Sequence, residues 1–325
     1  MRFHLDLQTG ISPDKIGHQQ AILLIGSCFT EHIGQRLSDL KFNCHSNPFG
    51  IVFNPLSMIK TLDRLIEKNP FTEADVMQHL GSWLSLDAHS SLSKPSRELL
   101  LRHLNAEVEQ WHGHLKQADW LILTFGSAYY YEYLASGSTV ANCHKLPAGL
   151  FIKKMAQAGE LTTAYKELLQ KLQAFNPSLN VIVTVSPVKH LRDGVIQNNL
   201  SKSVLSLTAH GLAEGQNNCF YFPSYELVND DLRDYRFYEA DMAHPNKQAI
   251  DYVWNKFCGT YFDTETQTLL DKITALNSAF LHRPLQAESK AFADFKSAQL
   301  KKCSELKARY PYLDLEKEQH YFSQL

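Results

Sequence analysis

Short apolar runs, each stopped by a small or turn-forming residue, recur along this chain and limit what it can fold into. Residues 21–25 read Ala-Ile-Leu-Leu-Ile and stop at Gly26-Ser27. Residues 120–125 read Trp-Leu-Ile-Leu-Thr-Phe and stop at Gly126-Ser127. Residues 180–185, rich in β-branched side chains, stop at Ser186-Pro187, and residues 219–222 stop at Pro223-Ser224. Runs of this length and composition read as buried strands, with a weaker candidate over 41–45. Between them come helical spacings. Ile33, Leu37 and Leu40 mark one over 30–40, and others are expected over 95–114, 161–174, 202–213 and 246–257. Strand–helix alternation predicts an α/β fold in which a mostly parallel sheet is covered on both faces. In such sheets ligands bind at the carboxyl ends of the strands.

Composition narrows the function classes. A chain of 325 residues can bury a large core, and 44% hydrophobic with 20% charged residues is ordinary for a globular protein. The formal charge of −2 gives no reason to expect nucleic acid or an anionic membrane surface as partner. Six cysteines (28, 44, 143, 219, 258 and 303) are scattered without a Cys-x-x-Cys pair, so neither a zinc site nor a redox pair is expected. The first residues carry no long apolar segment, no run reaches the length of a membrane span, and the expected compartment is the cytoplasm. Phosphate-binding glycine loops are absent, and no cofactor is expected.

The chain divides into residues 1–262, which carry the alternating pattern, and residues 263–325, which do not. The tail is helical in pattern and richer in charge, with Phe292, Phe295, Gln299, Cys303, Leu306 and Tyr310 along one face. It reads as a C-terminal helical extension that packs on the main domain, the alternative being a partner subunit in a homo-oligomer.

Two places could carry chemistry together. Ser27 stands where the first strand gives way to a helix, beside amide N–H groups able to hold a developing oxyanion. A serine there is a candidate nucleophile, and equally a helix N-cap. Asp241-Met242-Ala243-His244-Pro245 precedes the helix expected from residue 246. A carboxylate three residues before a histidine can fix its tautomer and stabilise its charged form, as the acid of a serine triad does. The competing reading makes Asp241 a helix cap and His244 a surface residue.

With Gly26-Ser27-Cys28-Phe29-Thr30 after the first strand and Asp241-x-x-His244 before the last helix of the domain, the chain resembles the SGNH (GDSL-type) hydrolases, and more closely the GSCFA family. Asn47-Pro48-Phe49-Gly50 with Asn54-Pro55, Gly126-Ser127, Asn142-Cys143-His144-Lys145, Ser186-Pro187-Val188 and Phe222-Pro223-Ser224-Tyr225-Glu226 are similar to further blocks of that family. The resemblance covers roughly residues 1 to 260. It implies a three-layer α/β/α sandwich of flavodoxin-like arrangement and hydrolysis or transfer of an ester-linked acyl group on a carbohydrate or small ester. By resemblance, Ser27 is the nucleophile, His244 the base and Asp241 its orienting acid. The amides of Ser27 and Gly50 would hold the oxyanion, with Gly126-Ser127 at the end of the next strand and Asn142 standing in for the oxyanion asparagine of such hydrolases. From the residues alone, His144 and Lys145 read either as contacts for an anionic or hydroxyl-rich substrate or as a turn beside a partly buried cysteine. Two departures stand out. Gly126 is not followed by an x-Asn-Asp block, and Gly26 directly precedes Ser27, whereas the typical motif is Gly-Asp-Ser-Leu. The first of these keeps a non-catalytic carbohydrate-binding protein in view.

Three other features have competing readings. Cys28 could be a nucleophile if its thiol ionised readily at a helix N-terminus, but a free cysteine beside Phe29 is expected to point into the core. Residues 189–194 after the strongest strand read as a solvated basic loop, the alternative being a basic substrate-binding loop. Tyr129, Tyr130, Tyr131 and Tyr133 offer aromatic faces suited to sugar rings, with core packing expected for at least two of them.

Overall fold

The computed structural model describes residues 5–215, 218–286 and 289–324. Its elements in chain order are β1 (Ile22–Gly26), α1 (Cys28–Asp39), β2 (Cys44–Ser46), α2 (Pro55–Glu67), β3 (Met77–His79), β4 (Ser82–Leu84), α3 (Arg97–Gln117), β5 (Trp120–Phe125), β6 (Tyr129–Tyr133), β7 (Ser138–Val140), β8 (Phe151–Met155), α4 (Ala158–Phe175), β9 (Asn180–Val185), α5 (Val195–Ala213), β10 (Cys219–Phe222), α6 (Ser224–Glu226), α7 (Lys247–Tyr261), α8 (Thr264–Phe280), α9 (Lys290–Arg309) and α10 (Glu316–Ser323).

Five strands form a fully parallel sheet in the order β10-β9-β5-β1-β2. The chain steps from β1 to β2 in one direction across the sheet, then returns to the other side of β1 and runs outward through β5, β9 and β10. The order therefore switches between β1 and β5. A crevice opens at such a switch point, outside the carboxyl ends of the strands. Gly26 pairs with Thr124 at the end of this ladder, which brings Gly26-Ser27 and Gly126-Ser127 side by side.

Strand alternation sorts the core into two layers. Ile22, Leu24, Trp120, Ile122, Ile182 and Phe222 face α1, α7 and the C-terminal helices. Leu23, Ile25, Leu121, Leu123, Val181 and Val183 face α2, α3, α4 and α5. The result is the expected α/β/α sandwich. Leu269, Ile273, Cys303, Leu306, Tyr310 and Phe322 of the tail belong to the same core as Ile16, Phe42 and Phe262, so the extension packs against this domain. Among the described residues no helix is long and apolar enough to cross a membrane.

Four features differ from the sequence expectations. Helix α2 starts at Pro55 behind Asn54, whose Oδ1 accepts the Ser57 N–H at 2.8 Å, an N-cap with proline at N1. Strands β3 and β4 make a hairpin, and β7-β6-β8 make a small antiparallel sheet that carries the tyrosine run. The weak strand expected over 41–45 is real but displaced to Cys44–Ser46.

Gly26 is required by space at the switch point. Its N–H donates to Asn47 Oδ1 at 2.8 Å, and a Cβ there would meet the Thr124 carbonyl oxygen at 2.6 Å. That oxygen belongs to the neighbouring strand and cannot step aside. Gly26→Ala is therefore expected to cost about 1–3 kcal/mol, measured by urea unfolding. A wild-type midpoint in this variant would contradict the packing.

Candidate active site

The loop before α7 is built to aim one imidazole. Asn246, not Asp241, caps α7, accepting the Ala249 N–H at 3.1 Å. Asp241 is thereby left to organise its own loop. Its Oδ1 accepts the N–H groups of Ala243 (2.9 Å) and His244 (3.0 Å), while Oδ2 accepts from His244 Nδ1 at 2.6 Å. These donors, the His244 amide first, hold the Asp241 carboxyl down to about 2. The loop is tied to the sheet edge by the Lys189 N–H, which donates to the Ala243 carbonyl at 3.0 Å. With Nδ1 committed to the carboxylate, Nε2 is the basic nitrogen, and it points at the start of α1.

What it meets there is Cys28. Cys28 Sγ lies 3.9 Å from His244 Nε2. Ser27 is fully buried (0% exposed) and its Oγ has no hydrogen-bond partner. Ser27 holds the N-cap position with extended backbone, but its side chain makes no cap bond; its carbonyl starts the helix by accepting the Thr30 N–H at 2.8 Å. The structure thus brings Asp241 and His244 together as expected and does not bring Ser27 to them. It also corrects the expectation for Cys28, because Phe29 takes the core position (3% exposed) while Cys28 stays half-buried at the edge. Ser27, extended and outside the helix, turns its side chain inward, and Cys28, the first helical residue, faces the histidine. Burial pushes the Cys28 thiol up, against the pull of its own amide and that of Phe29.

The remaining expected site residues are near the cleft but engaged elsewhere. Gly50 sits at φ +78 in a turn and donates its N–H to Asn47 O at 2.9 Å, so that amide is not free for an oxyanion. The amides of Gly126 and Ser127 both donate to Phe53 O at 2.9 Å. Ser127 Oγ accepts the Tyr129 N–H at 3.1 Å. Asn142 Oδ1 accepts the His144 N–H at 2.7 Å, and the buried His144 Nε2 lies 2.8 Å from Ser85 O and 2.9 Å from Ala88 O. His144 therefore anchors its loop to the backbone of residues 85–88. Ser127, Asn142 and His144 line a cavity of about 530 Å³ together with Phe53, Tyr129, Tyr131, Lys145, Lys153, His190 and Arg192. Tyr129 and Tyr131 are half-buried on one face of β6, with Lys153 Nζ 4.4 Å and 5.8 Å from their ring centres.

Two further residues stand at the site, and the sequence reading misses the first. Lys202, inside α5, is 1% exposed and donates from Nζ to Gly126 O at 2.8 Å and Ser186 O at 2.7 Å. It bridges the ends of β5 and β9, and burial brings its ammonium down to about 7. His190, in the loop read as solvated, is packed edge-on to Phe53 with ring centres 5.4 Å apart. Burial first, then the nearby Lys202 and His244, bring it down to about 4. No signal in the sequence marks Lys202, whereas His190 belongs to the 189–194 loop, for which substrate binding is the competing reading, and it lines the cavity with Arg192. Among the described residues no cluster of histidine, cysteine and carboxylate side chains is arranged to hold a metal ion.

The structure is thus an α/β protein with a parallel sheet whose order switches between β1 and β5 and an Asp–His pair aimed at the β1–α1 turn. The chain belongs to the GSCFA family, whose family model matches residues 21–257; a second one, GSCFA domain protein, C-terminal domain, matches residues 273–325. No curated protein sequence matches the chain. Among solved structures it is similar to an acetyl xylan esterase (Est2A) from the rumen bacterium Butyrivibrio proteoclasticus, with 10% identity and a TM-score of 0.37 over 81% of this chain and 66% of that one, just under two thirds. It is also similar to a carbohydrate esterase family 3 protein from Talaromyces cellulolyticus (10% identity, TM-score 0.31, 79% of this chain and 99% of that one). A mutant acetyl esterase with acetate ion is similar at 10% identity and TM-score 0.31, over 79% of this chain and all of that one (100%).

The lowered Lys202 ammonium has a consequence for stability. Between about 7 and about 10.4, the ordinary lysine value, the unfolded chain binds a proton that the folded chain has released. Stability from this group therefore rises with pH across that window, by up to about 1.4 kcal/mol per pH unit. Lys202→Met should remove this slope, and should cost about 1–3 kcal/mol at pH 7 by leaving the Gly126 and Ser186 carbonyls without a donor. Urea melts of both chains at several pH values check both effects. Parallel pH slopes in the two would contradict the assignment.

Proposed function

We propose that this protein is an ester hydrolase that works by nucleophilic acyl transfer at the β1–α1 turn, acting on an O-acylated carbohydrate or a small ester. One observation carries the proposal: His244 is held by Asp241 at 2.6 Å with Nε2 directed at the N-terminus of α1. An imidazole fixed in this tautomer can take a proton from an attacking group and give it to the leaving alkoxide. The helix start supplies N–H groups without intrahelical partners for the oxyanion. The neighbouring cavity, of about 530 Å³, suits the alcohol side of such a substrate, because tyrosine faces pack against sugar rings while Asn142, Lys145 and Arg192 offer polar contacts. Among the described residues Lys145 and Arg192 have no carboxylate partner, so the same cavity would accept an anionic group.

His244 and Asp241 are about half exposed (side chains 47% and 50%), so their substitution should leave the fold intact. His244→Ala is expected to lower hydrolysis of an aryl acetate by about 10²–10⁴-fold, and Asp241→Asn by a similar factor, since the amide would stabilise the wrong tautomer. Steady-state rates, with thermal unfolding as the control for folding, make the measurement. Wild-type turnover in His244→Ala would overturn the proposal.

A further inference from the structure

We infer that the nucleophile of this site is the thiol of Cys28 and that Ser27 is not the attacking group; this rests on the acyl-transfer reading above. Two observations converge. Cys28 Sγ is the side-chain atom facing the basic nitrogen, 3.9 Å from His244 Nε2, while Ser27 Oγ is buried and without a partner. Cys28 is the first residue of α1, so its own amide and that of Phe29, neither engaged within the helix, lie at the sulfur where the oxyanion would form.

The thiol has the partners it needs to react. Burial works against a standing thiolate here, so activation falls to His244: its Nε2 takes the thiol proton as sulfur attacks the acyl carbonyl. A C–S bond forms, and the carbonyl oxygen carries the negative charge to the amides of Cys28 and Phe29. Collapse of the tetrahedral adduct breaks the C–O bond to the alcohol, which leaves with the proton from His244. Water then attacks the thioester, giving a proton to His244 and its oxygen to the acyl carbon. The C–S bond breaks, the acid departs, and the proton returns to sulfur. Asp241 stabilises the imidazolium in both halves. A hydroxyl other than water in the second half would make the same site a transferase.

The test uses the full-length protein and two readouts. The first is alkylation by iodoacetamide at pH 7, followed by peptide mapping of all six cysteines. Cys28 should react at least about tenfold faster in wild type than in His244→Ala, with the deficit closing at higher pH where hydroxide replaces the base. The second is aryl acetate hydrolysis: Cys28→Ala should lose at least about 10³-fold while Ser27→Ala keeps most of the rate and Cys28→Ser keeps the fold at reduced rate. Loss in Ser27→Ala with full activity in Cys28→Ala overturns the proposal while leaving the hydrolase reading in place. His244-dependent alkylation in a protein that hydrolyses no ester supports the thiol–imidazole pair and removes the hydrolase reading. Alkylation of Cys28 at the same rate with and without His244 overturns the proposal by itself.

Discussion

The site depends on one buried cation. Lys202 Nζ donates to the carbonyls of Gly126 and Ser186, and so binds α5 to the ends of β5 and β9 where those strands must finish together. Gly126 in turn lies against Ser27, whose Cβ would be 3.3 Å from a side chain at Gly126. A chain of close approaches thus runs from a lysine in the middle of a helix to the turn that starts α1. An ammonium without a carboxylate is costly to bury, and this one is accepted because two carbonyls with no strand partner left receive its protons. The lysine is less a charge than a two-pronged donor, which is consistent with its fall to about 7.

With the strand ends fixed, the chemistry follows from which side chain of the turn faces outward. The Asp241–His244 pair approaches from the loop before α7, on the α1 and α7 side of the sheet, and reaches the first residue of α1. The ~530 Å³ cavity opens beside Gly126-Ser127, on the side of the small β6–β8 sheet. His190 and Phe53, packed edge-on, line that cavity. This arrangement sets the Asp241–His244 pair and the cavity on different sides of the turn. It is the geometry an acyl-transfer site needs: a nucleophile between a base on one side and room for the leaving alcohol on the other.

Much of the fold is legible in the sequence because burial on two faces leaves a plain mark. The runs at 120–125, 180–185 and 219–222 are apolar on both sides of the strand, and the structure places strands over those same residues. Asp241-x-x-His244 is legible because its partners are local. Three misses have physical causes. Helix α2 carries an N-cap and proline signature that the sequence reading takes only as part of a family block. Lys202 sits among Asn and Ser residues, and only the tertiary fold buries it. The choice between Ser27 and Cys28 turns on one residue of helix phase, which no composition or spacing encodes, and the expectation that a cysteine hides beside Phe29 puts the wrong neighbour outward.

The most direct test of acyl transfer at this turn is to trap the acyl-enzyme. The tryptic peptide of residues 16–36 contains both Ser27 and Cys28. After brief reaction with an activated acetyl ester and acid quench, mass spectrometry should find the acetyl group on this peptide, with fragmentation placing it on Cys28. The adduct should be discharged by neutral hydroxylamine, as a thioester is, and should be missing in His244→Ala. Acylation spread over surface lysines, and equal in the two proteins, would contradict a nucleophilic site at the switch point.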